Sequence, residues 1–334
     1  MVRFALLSGW HVHTGWFAGE LLKSGLGQFA VVWDEEEKRG RAYAQQFGAD
    51  YTSSLEEALA REDVDAVMVE CPTTRHREVI VAAARAGKHI FTDKALALTQ
   101  EDSQAIREAV EAAGVKLAVS MEAKSTAPYR YLRQLIQEGK LGRVTSGYFR
   151  RAHGAALDPN MLPAYWFDKS QTGGGVTLDL GCHGLYLLPW LCGEPVRVTS
   201  RMGELYGTGS DEISSTILEF DSGAMGTAFT SFVCGKMENL LEILGTEGMA
   251  VITGTDPGNY RMLLQSDHLP GFETLSPVEQ EWQDAEYPIV QFARLVESEE
   301  KSLPDFDLDA GCQLTRIIEG AYRSAAQGCT VDLG

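Results

Sequence analysis

Between residues 2 and 120, short apolar runs alternate with helix-forming stretches, and this alternation limits the fold more than any other feature. The apolar runs are Val2–Leu7, Phe29–Trp33, Asp65–Val69, His89–Thr92 and Val115–Ser120. Helices are predicted over Phe17–Lys23, Glu36–Phe47, Leu55–Ala60 and Glu78–Ala86, the last closed by Gly87 where a left-handed residue is favoured. Thr99 and Asp102 resemble a capping box for a further helix that stops at Gly114. Parallel neighbours need crossover connections, so strands separated by helices predict an α/β domain with a doubly wound parallel sheet.

The pattern then changes. A helix is predicted from Pro128 to Glu138, followed by strands in succession: Val144–Ala152, Val196–Leu205, Ile213–Phe220, Ala224–Phe232, Leu240–Leu244 and Met249–Ile252. Asp221-Ser222-Gly223 is a hairpin turn between two of them. This predicts an α+β domain with an open-faced, mainly antiparallel sheet. One long helix, Thr177–Cys192, interrupts it, and a last helix covers Cys312–Ala326. The boundaries read as 1–122 and 123–334, with the last helix able to pack back on the first domain.

The formal net charge of -18 repels polyanions, which argues against nucleic acid or an anionic membrane as partner. The apolar stretch Leu185–Cys192 is too short to span a bilayer. The start, MVRFALLSGWH, does not read as a signal peptide. Cysteines at 71, 182, 192, 234, 312 and 329 show no paired spacing, as expected for reduced thiols of a cytoplasmic protein.

Ligands of an open parallel sheet bind beyond the carboxyl ends of its strands. That rule selects Ser8–His13, Asp34, the segment with Cys71, Pro72, Thr73 and His76, and Asp93-Lys94. Asp34 ends the second run and can accept the hydroxyls of an adenosine ribose; Glu35, Glu36 and Glu37 after it would repel a 2′-phosphate, favouring NAD over NADP. The alternative is an acid-rich helix start set by the helix dipole. Lys94 ends a strand at the cleft, either as a proton-sharing lysine or as a solvated one. In GGGVTLDLGCHG, Asp179 and His183 are four apart on one helical face, where they can orient a hydroxyl and take its proton, unless the histidine is only core.

Together these segments resemble the Gfo/Idh/MocA oxidoreductases. GKHIFTDKALALT is similar to that family's lysine segment, GGGVTLDLGCHGLYLLPWLCGEP to its Asp/His helix, and YRYLRQLIQEGKLGRV, ILEFDSGAMG and EGAYRSAAQG match in order. The resemblance implies a Rossmann domain, NAD as cofactor, and oxidation of a secondary alcohol on a sugar, cyclitol or sugar derivative. It gives Lys94 the role of binding and polarising the hydroxyl, His183 that of general base, and Asp179 that of orienting them. It also implies a homodimer or homotetramer. Two further readings stay open: a redox-neutral NAD-dependent glycosidase or lyase, and a non-catalytic binding subunit.

Several positions depart from the family pattern. Where it carries G-x-G-x-x-G, this chain has Ser8, Gly9, Trp10, His11, Val12 and His13, so all three fingerprint glycines are replaced. His11-x-His13 could suggest a metal, but no third ligand is evident, so none is expected. Ala95 stands for the usual proline and Asp93 for glutamate. Glu122 and Lys124 in MEAKSTAPYR, with Tyr165 and Trp166 ahead of the glycine run, are candidates to touch substrate; the aromatics could equally be core.

Overall fold

A computed structural model describes residues 1–236, 239–254 and 259–334. The chain divides into two compact units, residues 1–122 with 286–315, and residues 123–285 with 316–334.

The first unit alternates as expected: β1 (Val2–Leu7), α1 (Thr14–Ser24), β2 (Gly27–Trp33), α2 (Glu37–Phe47), β3 (Asp50–Thr52), α3 (Leu55–Ala60), β4 (Ala66–Val69), α4 (His76–Arg85), β5 (His89–Asp93), α5 (Gln100–Ala113) and β6 (Leu117–Ser120). The sheet order is β3-β2-β1-β4-β5-β6, with every pairing parallel. The central strands are buried almost throughout, which is why they read as continuous apolar runs. The Thr99 side chain accepts from the Asp102 amide at 3.1 Å, and Gly87 and Gly114 take left-handed conformations, as their positions require.

The second unit holds α6 (Ala127–Gln137), β7 (Val144–Ala152), the short α7 (Lys169–Thr172), α8 (Cys182–Cys192), β8 (Pro195–Gly203), β9 (Ile213–Phe220), β10 (Met225–Ser231), β11 (Asn239–Gly245), β12 (Gly248–Gly254), β13 (Arg261–Ser266) and β14 (Ser276–Pro277). With β15 (Val331–Asp332) they form a nine-stranded sheet, order β14-β13-β12-β11-β7-β10-β9-β8-β15. Strand alternation sends Phe149, Ala228, Leu241, Ile243, Ala250 and Ile252 to one buried face. Helix α8 lies on that face so closely that a Cβ on Gly184 would overlap the Phe149 ring.

The sheet is mixed, because β7 and β10 pair in parallel within an otherwise antiparallel set. Residues 286–315 belong to the first unit, not with the rest of the second as their place in the sequence suggests. The cause is helix α9 (Pro288–Glu297), whose apolar side packs into the first core: the Phe292 ring lies 6.3 Å from Phe4 and 5.9 Å from Phe91. The terminal helix α10 (Leu308–Gln327) has its first residues in one unit and the rest in the other. No helix among the described residues is long and apolar enough to cross a membrane.

Candidate functional site

In the first unit, four strand ends converge in sequence role: β1 runs into Ser8, β2 into Asp34, β4 into Glu70 and Cys71, and β5 ends on Asp93 before Lys94. Ser8 keeps the left-handed φ of 73° that a glycine would supply at the place of the first fingerprint glycine. The loop after it is filled from within. The Gly9 amide donates to Asp34 Oδ2 (2.7 Å), Trp10 to Ser8 Oγ (3.1 Å), His11 to the Glu70 carbonyl (3.0 Å), His13 to His11 Nδ1 (3.2 Å) and Thr14 to the His11 carbonyl (3.1 Å). Trp10 is buried, and Gly9 has no room for a Cβ beneath the Tyr43 ring. Val12 is exposed.

Asp34 is fully engaged. Its Oδ1 accepts from the Glu36 amide (2.7 Å) and Arg39 Nη2 (2.6 Å), and its Oδ2 from Gly9 and from Arg39 Nε (2.9 Å). Arg39, five residues on and in the first turn of α2, is a partner that the sequence reading missed, because an arginine there is ordinary in sequence. As a seat for the implied dinucleotide, the unit fits at two places. Helix α1 opens at the end of β1 with no acid in its first turn, which suits a pyrophosphate. The other is Asp34, which follows β2 where the resemblance expects an acid to meet a ribose, and which is here held by Arg39. The loop between them does not offer amides as a glycine loop does.

The segment after β4 is tied down within the unit. His76 is buried, with Nε2 3.2 Å from the Cys71 carbonyl and Nδ1 3.3 Å from the Leu96 carbonyl, so it ties this turn to the chain beyond β5. Burial lowers its pKa and raises that of the buried Cys71 thiol well above the usual range. Pro72 precedes a short turn, Thr73–Arg75, and Thr73 is buried.

The two histidines face one carboxylate. His11 Nδ1 and His13 Nδ1 each lie 2.9 Å from Asp93 Oδ2, and the rings are 4.7 Å apart between centroids. Asp93 Oδ1 takes the Lys94 amide at 2.6 Å. The expectation of no third ligand is thereby corrected: the third donor comes from residue 93, eighty positions along the chain, where no local spacing could reveal it. Glu70, also missed, places Oε2 3.8 Å from His11 Nδ1 and 3.5 Å from Thr14 Oγ1. Burial draws His11 down to about 4. Burial, then the Asp93 charge, raises the Glu70 carboxyl well above its usual range. Burial opposes ionisation of Asp93, yet His11 and His13 outweigh it and hold the group well below. Lys94 is buried beside them, and the Lys94–Ala95 peptide is cis.

In the second unit, the glycine run forms a tight entry to the Asp/His helix. Asp211 Oδ1 and Oδ2 accept from the Gly175 and Thr177 amides (2.9 and 2.8 Å), and Tyr322 donates to Asp211 Oδ1 at 3.0 Å. A Cβ on Gly174 would strike the Tyr322 hydroxyl and one on Gly175 the Asp211 backbone, so both positions need glycine. The helix begins as a π turn, Thr177–Gly181, and continues as α8; such turns recur at functional sites. Asp179 Oδ2 receives the indole N–H of the buried Trp166 at 3.3 Å, which supports the acid. His183 is buried, its Nδ1 2.6 Å from the Tyr186 hydroxyl. That hydroxyl also accepts from the Ala123 amide (3.3 Å), and the buried Lys124 ammonium lies 5.7 Å from the Tyr186 ring centroid. Glu122 and Tyr165 are half-buried.

The comparisons with known proteins agree with these features. The family described as an oxidoreductase family with an NAD-binding Rossmann fold (GFO/IDH/MocA) matches residues 12–121. Its GFO/IDH/MocA C-terminal domain matches residues 129–251. A 1,5-anhydro-D-fructose reductase of Ensifer adhaerens is 30% identical over 255 residues, 75% of each chain. A scyllo-inositol 2-dehydrogenase (NAD(+)) of Bacillus subtilis is 28% identical over 260 residues, 74% of this chain and 73% of its own. The same fold is seen in the aldose-aldose oxidoreductase of Caulobacter crescentus, with a TM-score of 0.85 at 24% identity over 99% of both chains.

Proposed function

The chain belongs to the Gfo/Idh/MocA family of oxidoreductases, with an NAD-binding Rossmann fold as its first domain, and on that premise we propose that it moves a hydride between a secondary alcohol of a sugar, cyclitol or sugar derivative and the nicotinamide ring. Relatives named for an anhydro-fructose and for scyllo-inositol support that substrate class.

When bound, NAD supplies the hydride acceptor. The chain's own residues do the rest. Asp34 and the N-terminus of α1 hold the cofactor. Lys94 binds the reacting hydroxyl and polarises it. His183 takes the hydroxyl proton as the hydride leaves the carbinol carbon. The observation that carries this reading is the buried imidazole fixed through Nδ1 by the Tyr186 hydroxyl at 2.6 Å. In the tautomer that donates Nδ1–H to that hydroxyl, Nε2 is the nitrogen that works as base. Asp179, steadied by Trp166, orients the hydroxyl. Glu122, Lys124 and Tyr165 contribute to substrate choice.

The test is to screen inositols, hexoses and anhydrohexoses for NADH formation and then to compare variants. Lys94→Ala and His183→Ala should each lower kcat by roughly 10²–10⁴-fold, with NAD affinity nearly unchanged. The double variant should be little worse than the poorer single one, because the two act as a unit. Single variants that turn over like the parent enzyme would refute the assignment. The filled loop at residues 9–14 favours one second reading, a binding subunit without turnover; absence of NAD binding would select it.

The assembly we propose is a homodimer or homotetramer formed through the second unit's open sheet face. The scattered cysteines, with no paired spacing, suit the cytoplasm as its compartment.

A further inference from the structure

We propose that His11, His13 and Asp93, with Glu70 as a fourth donor, form a binding site for a divalent transition-metal ion, Zn²⁺ by the chemistry of the set. The three nearest donor atoms lie within 4.8 Å of one another, and both histidine Nδ1 atoms are 2.9 Å from the same Asp93 oxygen. Metal–ligand bonds of about 2.0–2.1 Å put neighbouring donors roughly 3.0 Å apart at a right angle and roughly 3.4 Å apart at the tetrahedral angle. The two histidine–Asp93 spacings therefore suit an ion with shifts of a few tenths of an ångström.

The second observation is independent of the histidines. Glu70 is fully buried, and its Oε1 has no hydrogen-bond partner among the described residues. A buried carboxyl oxygen without a partner costs free energy, and a cation that displaces the carboxyl proton removes that cost. The other oxygen, Oε2, already sits 3.8 Å from His11 Nδ1.

The donors are also held from behind, as ligands of a metal are. The Lys94 amide fixes Asp93 through Oδ1 (2.6 Å), leaving Oδ2 toward the histidines. The His11 amide on the Glu70 carbonyl (3.0 Å) and the Thr14 hydroxyl on the His11 carbonyl (2.7 Å) lock the loop to the end of β4. Two imidazoles with carboxylates suit Zn²⁺, Co²⁺ or Ni²⁺, whereas Mg²⁺ and Ca²⁺ prefer sets made of oxygen alone. Metal binding here is measured without any substrate, so its failure is distinct from failure of the hydride-transfer reading.

The experiment uses the full chain, stripped with a chelator, dialysed, and titrated calorimetrically with Zn²⁺ and separately with Mg²⁺. A parallel titration with Co²⁺ is followed by visible absorption. The expected result is a single equivalent of Zn²⁺ bound with affinity on the order of micromolar or tighter, Mg²⁺ binding at least 100-fold weaker, and a Co²⁺ spectrum that Zn²⁺ abolishes. His13→Ala should weaken Zn²⁺ binding by at least about tenfold while circular dichroism stays that of the parent, because His13 is one-quarter exposed. Glu70→Gln should weaken it as well. No saturable Zn²⁺ uptake, equal binding of Mg²⁺, or parent-like Zn²⁺ binding by His13→Ala would each overturn the site and leave the cluster as a hydrogen-bonded support for Asp93.

Discussion

Asp34 illustrates how a single residue carries both a legible and an illegible part. Its type and its place after β2 identify it in the sequence, because an acid there is what a ribose requires. Its partner Arg39 does not stand out, since an arginine in an exposed helix is ordinary until its contacts are known. The pair decides cofactor choice. Arg39 is held by Asp34 and also faces Glu35 at 3.1 Å and Glu36 at 3.3 Å, so its charge is already matched by acids. NAD(H) should therefore bind more tightly than NADP(H). Asp34→Ala should narrow that preference by at least about tenfold, because it removes a repelling charge and releases Arg39 to meet a 2′-phosphate. Calorimetric titration with both cofactors checks this; equal affinities in the parent would refute the ribose assignment. The same division of legibility holds at Asp93 and Asp211. The histidine motif and the glycine run are visible in the sequence, but what completes each is brought from 80 and 36 residues away.

At the scale of elements, continuous apolar runs were enough to locate β1, β4 and β5, since parallel strands buried on both faces leave no other composition. Short or half-exposed strands such as β3 and β15 bury too little to leave a pattern. The π turn before α8 is invisible because its residues are those of any helix. The turn from β8 to β9 depends on a single side chain. Glu212 is fully buried and accepts three amides, from Leu205 (2.6 Å), Tyr206 (2.7 Å) and Thr208 (3.0 Å). Burial works against its charge, and these amides outweigh burial, so the carboxyl titrates below the usual range. Because the folded pKa is the lower one, the stabilisation is complete above the unfolded value near 4.5 and is lost as pH falls through the folded value. Glu212→Gln should cost about 1–3 kcal/mol at neutral pH, and the gap to the parent should close on acidification. Urea denaturation across pH measures it, and a gap that does not change with pH would refute the charge argument.

At the scale of the whole molecule, the second unit's sheet turns one face away from α8. Register places Ile217 beside Thr227 on one strand pair, Leu244 beside Met249 on another and Val251 beside Leu263 on a third, all pointing away from α8. Phe229 shares that face through its pairing with Arg150, as Leu240 does. The solvent face of an antiparallel sheet is ordinarily polar. Here apolar side chains stand among Glu219, Glu242 and Arg150 on that face, with Met225 50% and Leu263 37% exposed, and exposed apolar side chains gathered on one sheet face mark an interface. Two copies meeting face to face would bury it by a self-complementary contact. The protein should therefore run as a dimer or tetramer in light scattering at micromolar concentration. Phe229→Glu should lower the observed mass toward that of one chain, since the new charge would have to be buried without a partner, while circular dichroism should remain unchanged because the residue faces away from the core. A parent protein that stays monomeric across that range would remove the sheet face as an interface and leave its apolar side chains unexplained.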